Sequence, residues 1–377
     1  MTENAARAWE GSNVKEIREK ERRVREFMSE TGLDAVLLRR RDNFSWLTDG
    51  GYNYVGMGTD LGVASALITQ NDKFIISTNI EARRIAEEEV AGQGFTIRDY
   101  PWHRGEDRER LIRELAGSSR CAADDGTPGL APLPPSFTGL RYSLTDAEVA
   151  RYRALGAECG EAIANVARAV VPGETEAAIA GRMAKSCFDR GVLPAVILIA
   201  ADERIEKHRH PIFTNKRVKR CAMVVLCGQK RGLICSVTRL VHFGSLGESL
   251  ARKHEAATLI DATLIAATRV GAAVGEILRS GIALYEKNGF GDEWKLHHQG
   301  GPCGYAPRDY LATPEEKRIV LPNQAFAWNP SITGTKSEDT IIALPNGPLV
   351  LSLAEGWPTV EVRIGNRVIQ RADILVK

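Results

Sequence analysis

The chain has 377 residues, 44% of them hydrophobic and 26% charged, with a formal net charge of +2. That length suggests two domains of ordinary size, and the composition is that of a soluble globular protein. Such a balanced charge argues against a nucleic-acid or membrane-surface binder, and no apolar run approaches the roughly 20 residues that span a bilayer.

The opening MTENAARAWEGSN has no apolar core and no small-residue cleavage site, so no signal peptide is expected. Residues 14–30 have helical period and mixed charge, which reads as a solvated helix. LDAVLLRR then reads as a buried strand and DNFSWLT as a short helix. GVASALITQ and KFIISTN, split by Asn71-Asp72, predict a hairpin. IEARRIAEEEVAGQG predicts an amphipathic helix that ends at glycine, and the spacing of Glu106–Ala116 another helix. The first part is therefore α/β. The Pro- and Gly-rich stretch 123–137 is the best candidate for a boundary, giving domains 1–140 and 141–377.

After it, Thr145 and Thr175 are expected N-caps of two helices. Strands VILIAA, AMVVLCG and RGLICSVTRLVHFG follow, then a second helix pair and a strand-rich end. The seven cysteines are scattered and include no CxxC pair, so free thiols and a cytoplasmic location are expected. Of the seven histidines, four sit in two tight pairs, His208/His210 and His297/His298.

Three segments carry a resemblance: LHHQGG ending at Gly301, WNPSI at 328–332 and KSEDT at 336–340. With Glu338-Asp339-Thr340 as its closing signature, the chain resembles the creatinase/aminopeptidase P/methionine aminopeptidase superfamily. The resemblance covers roughly 146–377. It implies an α+β chain with a C-terminal pita-bread domain, built on a curved antiparallel sheet, and an N-terminal creatinase-type α/β domain. Metallopeptidase members hold two divalent ions with two Asp, one His and two Glu. The matching positions here are Cys227 (or Val225, in a gapless alignment), Ser236, His298, Asn329 and Glu338. Divalent ions of this class want several anionic oxygens, and one His with one Glu leaves them under-neutralised. No bound metal and no other cofactor is therefore expected.

Creatinase shares this fold, works without metal and hydrolyses a C–N bond with one His as base and acid. The family spacing puts that His at His210 when counted back from Cys227, and at His208 from Val225. The resemblance thus implies His210, His298, Glu338 and His208 as catalytic candidates. Asn329, Ser236, Cys227, Tyr305, Arg308, Arg239 and Trp328 are substrate-binding candidates; Tyr305 falls where the family has its substrate-touching His. Arg308 or Arg239 is suited to a bidentate carboxylate. The plainer readings are a salt-bridge role for Arg239, packing for Trp328, and a buried inert thiol for Cys227.

The leading expectation is a metal-independent hydrolase of a C–N bond in a small, polar, amino-acid-like molecule, acting as a homodimer. A lyase or isomerase on the same His pair, a silent binding module, and an Xaa-Pro-type metallopeptidase with an altered metal site are the alternatives.

Overall fold

Ile17, Val24 and Met28 lie on one face of the first helix, α1 (Val14–Thr31), and all are buried. Buried with them on α1 is the ion pair Lys20–Glu16, one turn apart. The computed structural model describes residues 14–117 and 120–377; the MTENAARAWEGSN segment lies outside them. The chain divides into two compact units, one ending at Arg141 and the other spanning Tyr142–Lys377.

The first unit is a six-stranded sheet in the order β4-β3-β2-β1-β5-β6. Its strands are β1 (Ala35–Arg40), β2 (Leu61–Thr69), β3 (Lys73–Thr78), β4 (Thr96–Tyr100), β5 (Cys121–Ala123) and β6 (Ala131–Pro132). The expected hairpin is β2–β3, and α2 (Arg41–Leu47) is the expected short helix. α4 (Glu106–Ala116) packs Ile112 and Ala116 against Leu37, Leu67 and Ile76 of the sheet. Between β3 and β4 the sequence predicts a regular helix. The chain instead forms a short α3 (Ala82–Arg84) that widens into a π-turn at Ile85–Glu89. Glu89, buried there, accepts from Arg84 and from the backbone of Tyr52, a partnership that the apolar period does not encode. The stretch 123–137 carries β6, which pairs with β5, so it forms part of the first sheet.

In the second unit a helix pair and three strands occur twice. The first set is α5 (Asp146–Ala169), α6 (Glu176–Phe188), β7 (Leu193–Ala201), β8 (Cys221–Lys230) and β9 (Leu233–His242), with a one-turn α7 (Glu203–Lys207) between β7 and β8. Thr145 caps α5 in a capping box with Glu148, and Thr175 caps α6. The second set is α8 (Glu248–Ala267), α9 (Val274–Lys287), β10 (Gly300–Cys303), β11 (Gln324–Trp328) and, beyond the small hairpin β12 (Ser331–Ile332)–β13 (Thr335–Lys336), β14 (Asp339–Leu344). β14 pairs onward with β15 (Gly347–Val350). A further hairpin, β16 (Thr359–Ile364)–β17 (Arg367–Ala372), and the short β18 (Leu375–Val376) on the edge of β9 complete the chain.

The sheets β18-β9-β8-β7 and β10-β11-β14-β15 meet where β9 passes β14. There Thr340 Oγ1 takes the place of a ladder bond: Ser236 N donates to it at 2.8 Å, and it donates to Ser236 O at 3.0 Å. Thr238 N donates to Glu338 O at 3.2 Å. This junction makes one curved surface of the two halves, the pita-bread architecture, and sets Ser236 beside Glu338.

Candidate active site

Strand alternation decides which side chains face the site. At the end of β11, Trp328 packs into the core with Phe326 and donates from Nε1 to Thr268 Oγ1 at 2.9 Å. Asn329 follows, with its backbone N–H on Gln299 O, beside His298. On the run from β13 into β14, Lys336 and Glu338 lie two residues apart and pair through Lys336 Nζ and Glu338 Oε2 at 2.6 Å. Thr238 donates to the same oxygen at 2.6 Å. Glu338 Oε1 faces Arg308 Nη2 at 3.3 Å, and Arg308 Nη1 reaches Ser236 Oγ at 3.4 Å. Ser236 Oγ and Cys227 Sγ are 3.3 Å apart. Glu338 is thus enclosed by two cations and a hydroxyl. Its burial opposes ionisation, but Lys336 and Arg308 outweigh that and hold the carboxyl below its ordinary value.

The histidines form the other wall. Asp202, at φ 54, turns the chain from β7 into α7 and accepts backbone N–H bonds from Lys219, Arg220 and Cys221. The loop that follows is fastened by Arg209, which bonds Glu293 and Thr333. It brings His210 to His297, Nε2 to Nε2, at 3.1 Å. His297 stacks on His298 with ring centroids 4.4 Å apart. Behind them Gly300 takes φ +101, and a Cβ there would stand 2.1 Å from Ala327 O, so only glycine allows the backbone this close to β11. Burial, reinforced by Lys336, pulls His297 down to about 2. Burial and then Arg308 pull His298 down to about 4. His210 is also lowered, by burial and then by Lys336, with Glu338 opposing. The cluster is therefore neutral at pH 7.

The remaining sequence candidates separate. His208 is exposed and lines a crevice of about 10 Å³ with Arg209, His297, Ser331 and Lys336. Arg239, proposed for substrate, is fully buried and pairs with Asp339 at 2.9 Å, which leaves it no route to a ligand. Tyr305 is buried with its hydroxyl on Glu148 Oε1 at 2.6 Å, because the N-terminal turn of α5 lies against it. Trp328 is buried in the core, which is the plainer reading, packing, and not substrate binding. Cys227 is buried and its thiol is pushed up, mainly by burial and then by Glu338, so it is no thiolate nucleophile. Three participants had no assigned role in the sequence: His297, Lys336 and Thr238. The period-two relation of Lys336 to Glu338, and the pairing of His297 with His298, were the available signals.

Residues 150–369 match metallopeptidase family M24. The chain belongs to that family. Its fold is similar to that of an Xaa-Pro dipeptidase from Bacillus anthracis (16% identity over 96% of this chain and 100% of that one, TM-score 0.77). It is similar also to the dipeptidase PepE from Mycobacterium ulcerans (17%, 97% and 98%, TM-score 0.76). The N-terminal domain of the FACT complex subunit SPT16 from Cicer arietinum has a similar fold (11%, 89% and 96%, TM-score 0.68). At these identities the likeness is one of fold. No curated protein sequence matches the chain. Among the described residues no helix is long and apolar enough to cross a membrane.

The M24 metal pair can be tested against these side chains. Of the five matching positions only His298 and Glu338 are ordinary ligands. Ser236 and Asn329 are neutral, and the Cys227 thiol resists ionisation. The guanidinium of Arg308 reaches from Ser236 to Glu338, two positions that would share an ion. These residues do not fit a dinuclear centre. Among the described residues His210, His297 and His298 have one ligand atom each within 4.8 Å of one another, a spacing that suits a single ion. Lys336 and Arg308 face that cluster, and their charge opposes a dication there.

Proposed function

We propose that this M24 protein hydrolyses a C–N bond of a small, polar, amino-acid-like molecule without a metal pair, with His210 moving the protons. The observation that carries this reading is the Arg308 guanidinium set between Ser236 Oγ and Glu338 Oε1. Its charge lies on the carboxylate a metal would need.

His210 is neutral at pH 7 and is the most exposed of the three clustered histidines. As base it takes a proton from water while the water oxygen bonds to the carbon of the C–N bond. The same imidazole then delivers that proton to the departing nitrogen as the C–N bond breaks, giving an acid and an amine. His298, expected as a second acid–base group, is held neutral to about pH 4. It serves as a hydrogen-bonding wall. Lys336 and Arg308 stabilise negative charge that develops on the attacked carbon's oxygen.

This reading takes a homodimer in the cytoplasm, with a small-molecule substrate and no nucleic-acid or membrane partner. A second reading is a binding module without turnover, since a similar fold also occurs in a subunit of the FACT complex. Turnover on amino-acid amides, guanidino acids, X-Pro dipeptides and N-acyl amino acids decides between them. His210→Ala is expected to lower kcat by about a hundred- to ten-thousand-fold. Absence of turnover on the whole panel sinks the hydrolase.

A further inference from the structure

A groove of about 520 Å³ runs along α8 in the second unit, with the β16 strand of the C-terminal hairpin as its other side. That size falls in the roughly 300–1,000 Å³ range of small-molecule pockets. Leu246, Leu259, Val360 and Val362 give it apolar walls. Glu255, Glu361 and Asp373 set three carboxylates against the single guanidinium of Arg363, so the formal charge of the lining is negative. None of these side chains belongs to the active site.

Acidic surfaces are common, and that charge alone selects nothing. His254, 5% exposed and lining the groove from α8, adds a buried polar group. Its Nδ1 is 2.7 Å from Thr335 Oγ1, but its Nε2 makes no hydrogen bond among the described residues. The Ala372 carbonyl lies near the ring without the geometry of a hydrogen bond, and Asp373 Oδ1 stands off at 3.6 Å from Nε2, beyond bonding distance. A buried ring nitrogen is rarely left so. Burial lowers His254, with Asp373 opposing, so the ring is neutral at pH 7. With its one proton on Nδ1, donated to Thr335, it turns a lone pair toward the carboxylate, and no donor lies between these two acceptors. A negative lining, apolar walls and a buried pair of acceptors are together answered by a compact cation that carries N–H bonds on an aliphatic body.

We infer that this groove is a second binding site, for a small aliphatic amine whose ammonium donates to His254 Nε2 and the Asp373 carboxylate and whose carbon chain lies against Leu259, Val360 and Val362. The ammonium supplies the missing donor and fixes the His254 proton on the Thr335 side. Thr335 and Lys336 are the two residues of β13, so two hydrogen bonds join the amine to the strand that carries Lys336. The binding does not depend on the hydrolase reading.

The test is calorimetric titration of the full chain, at physiological ionic strength, with butylamine, hexylamine, hexanol and hexanoate. Hexylamine is expected to bind about tenfold or more tightly than hexanol, the value of a charged hydrogen bond. It should also bind more tightly than butylamine, by roughly fourfold for each added methylene. Hexanoate should not bind. Asp373→Asn keeps an acceptor for the Ile374 N–H and removes the charge, so it should weaken hexylamine by about tenfold and leave hexanol nearly unchanged. His254→Phe, which fills the place of the ring without its nitrogens, should weaken hexylamine likewise, with circular dichroism confirming the fold of both variants. Equal binding of amine and alcohol overturns the inference, as does no binding by either amine. So does an amine affinity that ignores chain length, which marks a counter-ion on an acidic surface. Hexylamine binding unchanged in both variants overturns it too, because the amine then sits elsewhere. Failure of every substrate to turn over sinks the hydrolase and leaves this site standing.

Discussion

The Nε2 atoms of His210 and His297 lie 3.1 Å apart, although the two residues are 87 positions distant in the chain. A contact that short between neutral imidazoles needs one proton between them. If His210 is to act as a base from Nδ1, its own proton sits on Nε2 and His297 accepts it. His297 is suited to this because burial keeps it neutral at any working pH.

His297 is therefore expected to position His210. His297→Phe removes the acceptor, and kcat should fall by roughly tenfold or more with KM nearly unchanged, a part of the general-base factor. His297→Gln, which keeps an acceptor, should recover part of the loss. The pH profile of kcat/KM separates positioning from packing. Loss of the His297 contact moves the acid limb, and a purely structural role lowers the curve without moving it.

Metal removal gives a second expectation. Dialysis against a chelator should leave turnover unchanged, and elemental analysis of the purified protein should give well under one zinc or manganese per chain. The cause is Arg308 beside Glu338, with Lys336 on the other oxygen. Activity that disappears with a bound ion and returns with it would mean that the three histidines hold that ion despite the two cations.

Much of the second unit was legible in the sequence because its signals are local. Thr145 and Thr175 cap helices through bonds three residues away, and the apolar runs of β8 and β9 read directly as buried strands. Of the site positions, Ser236, Cys227, His298, Asn329 and Glu338 were reachable through the family signature. The fate of Tyr305 was not, since it depends on a distant partner, Glu148; for Arg239 the plainer reading, a salt bridge, is the one found, with Asp339 as its partner. The π-turn after α3 failed for the same reason: Glu89 is drawn inward by the backbone of Tyr52.

The lowered histidines fix the sign of the acid response. A His with a depressed folded value binds protons less well than in the unfolded chain, near 6.5. Stability is therefore unaffected above that value. It declines as pH falls below 6.5, and goes on declining until about 4 for His298 and about 2 for His297. By pH 5 a fully buried neutral His costs about 2 kcal/mol, so His297 alone should lower the urea midpoint measurably between pH 7 and pH 5. In His297→Gln the decline should be shallower. Enzyme activity should fall in the same direction, with its acid limb below pH 6.5, because burial and Lys336 lower His210.

Directly behind Glu338 runs a buried chain of charges, from Asp261 through Arg371 to Asp339 and Arg239. Arg371 Nη2 bonds Asp261 Oδ2 at 2.5 Å and Asp339 Oδ2 at 2.7 Å, and Arg239 Nη2 bonds Asp339 Oδ1 at 2.9 Å. All four side chains are fully buried. Ser337 donates to Asp261 and Ser352 to Asp339, so both carboxylates are fixed in place. Arg371→Met keeps much of the side-chain volume but leaves two carboxylates facing one arginine. Removing one partner of a buried ionic group costs about 3–5 kcal/mol, and chemical denaturation should register a loss of that size. Asp261, which burial already lifts to about 6, then loses the cation that most opposes the rise. It should be protonated at neutral pH, so between pH 7 and pH 5 the variant should lose less stability than the native chain does. A native-like urea midpoint in Arg371→Met would mean that the pair is no anchor for the site.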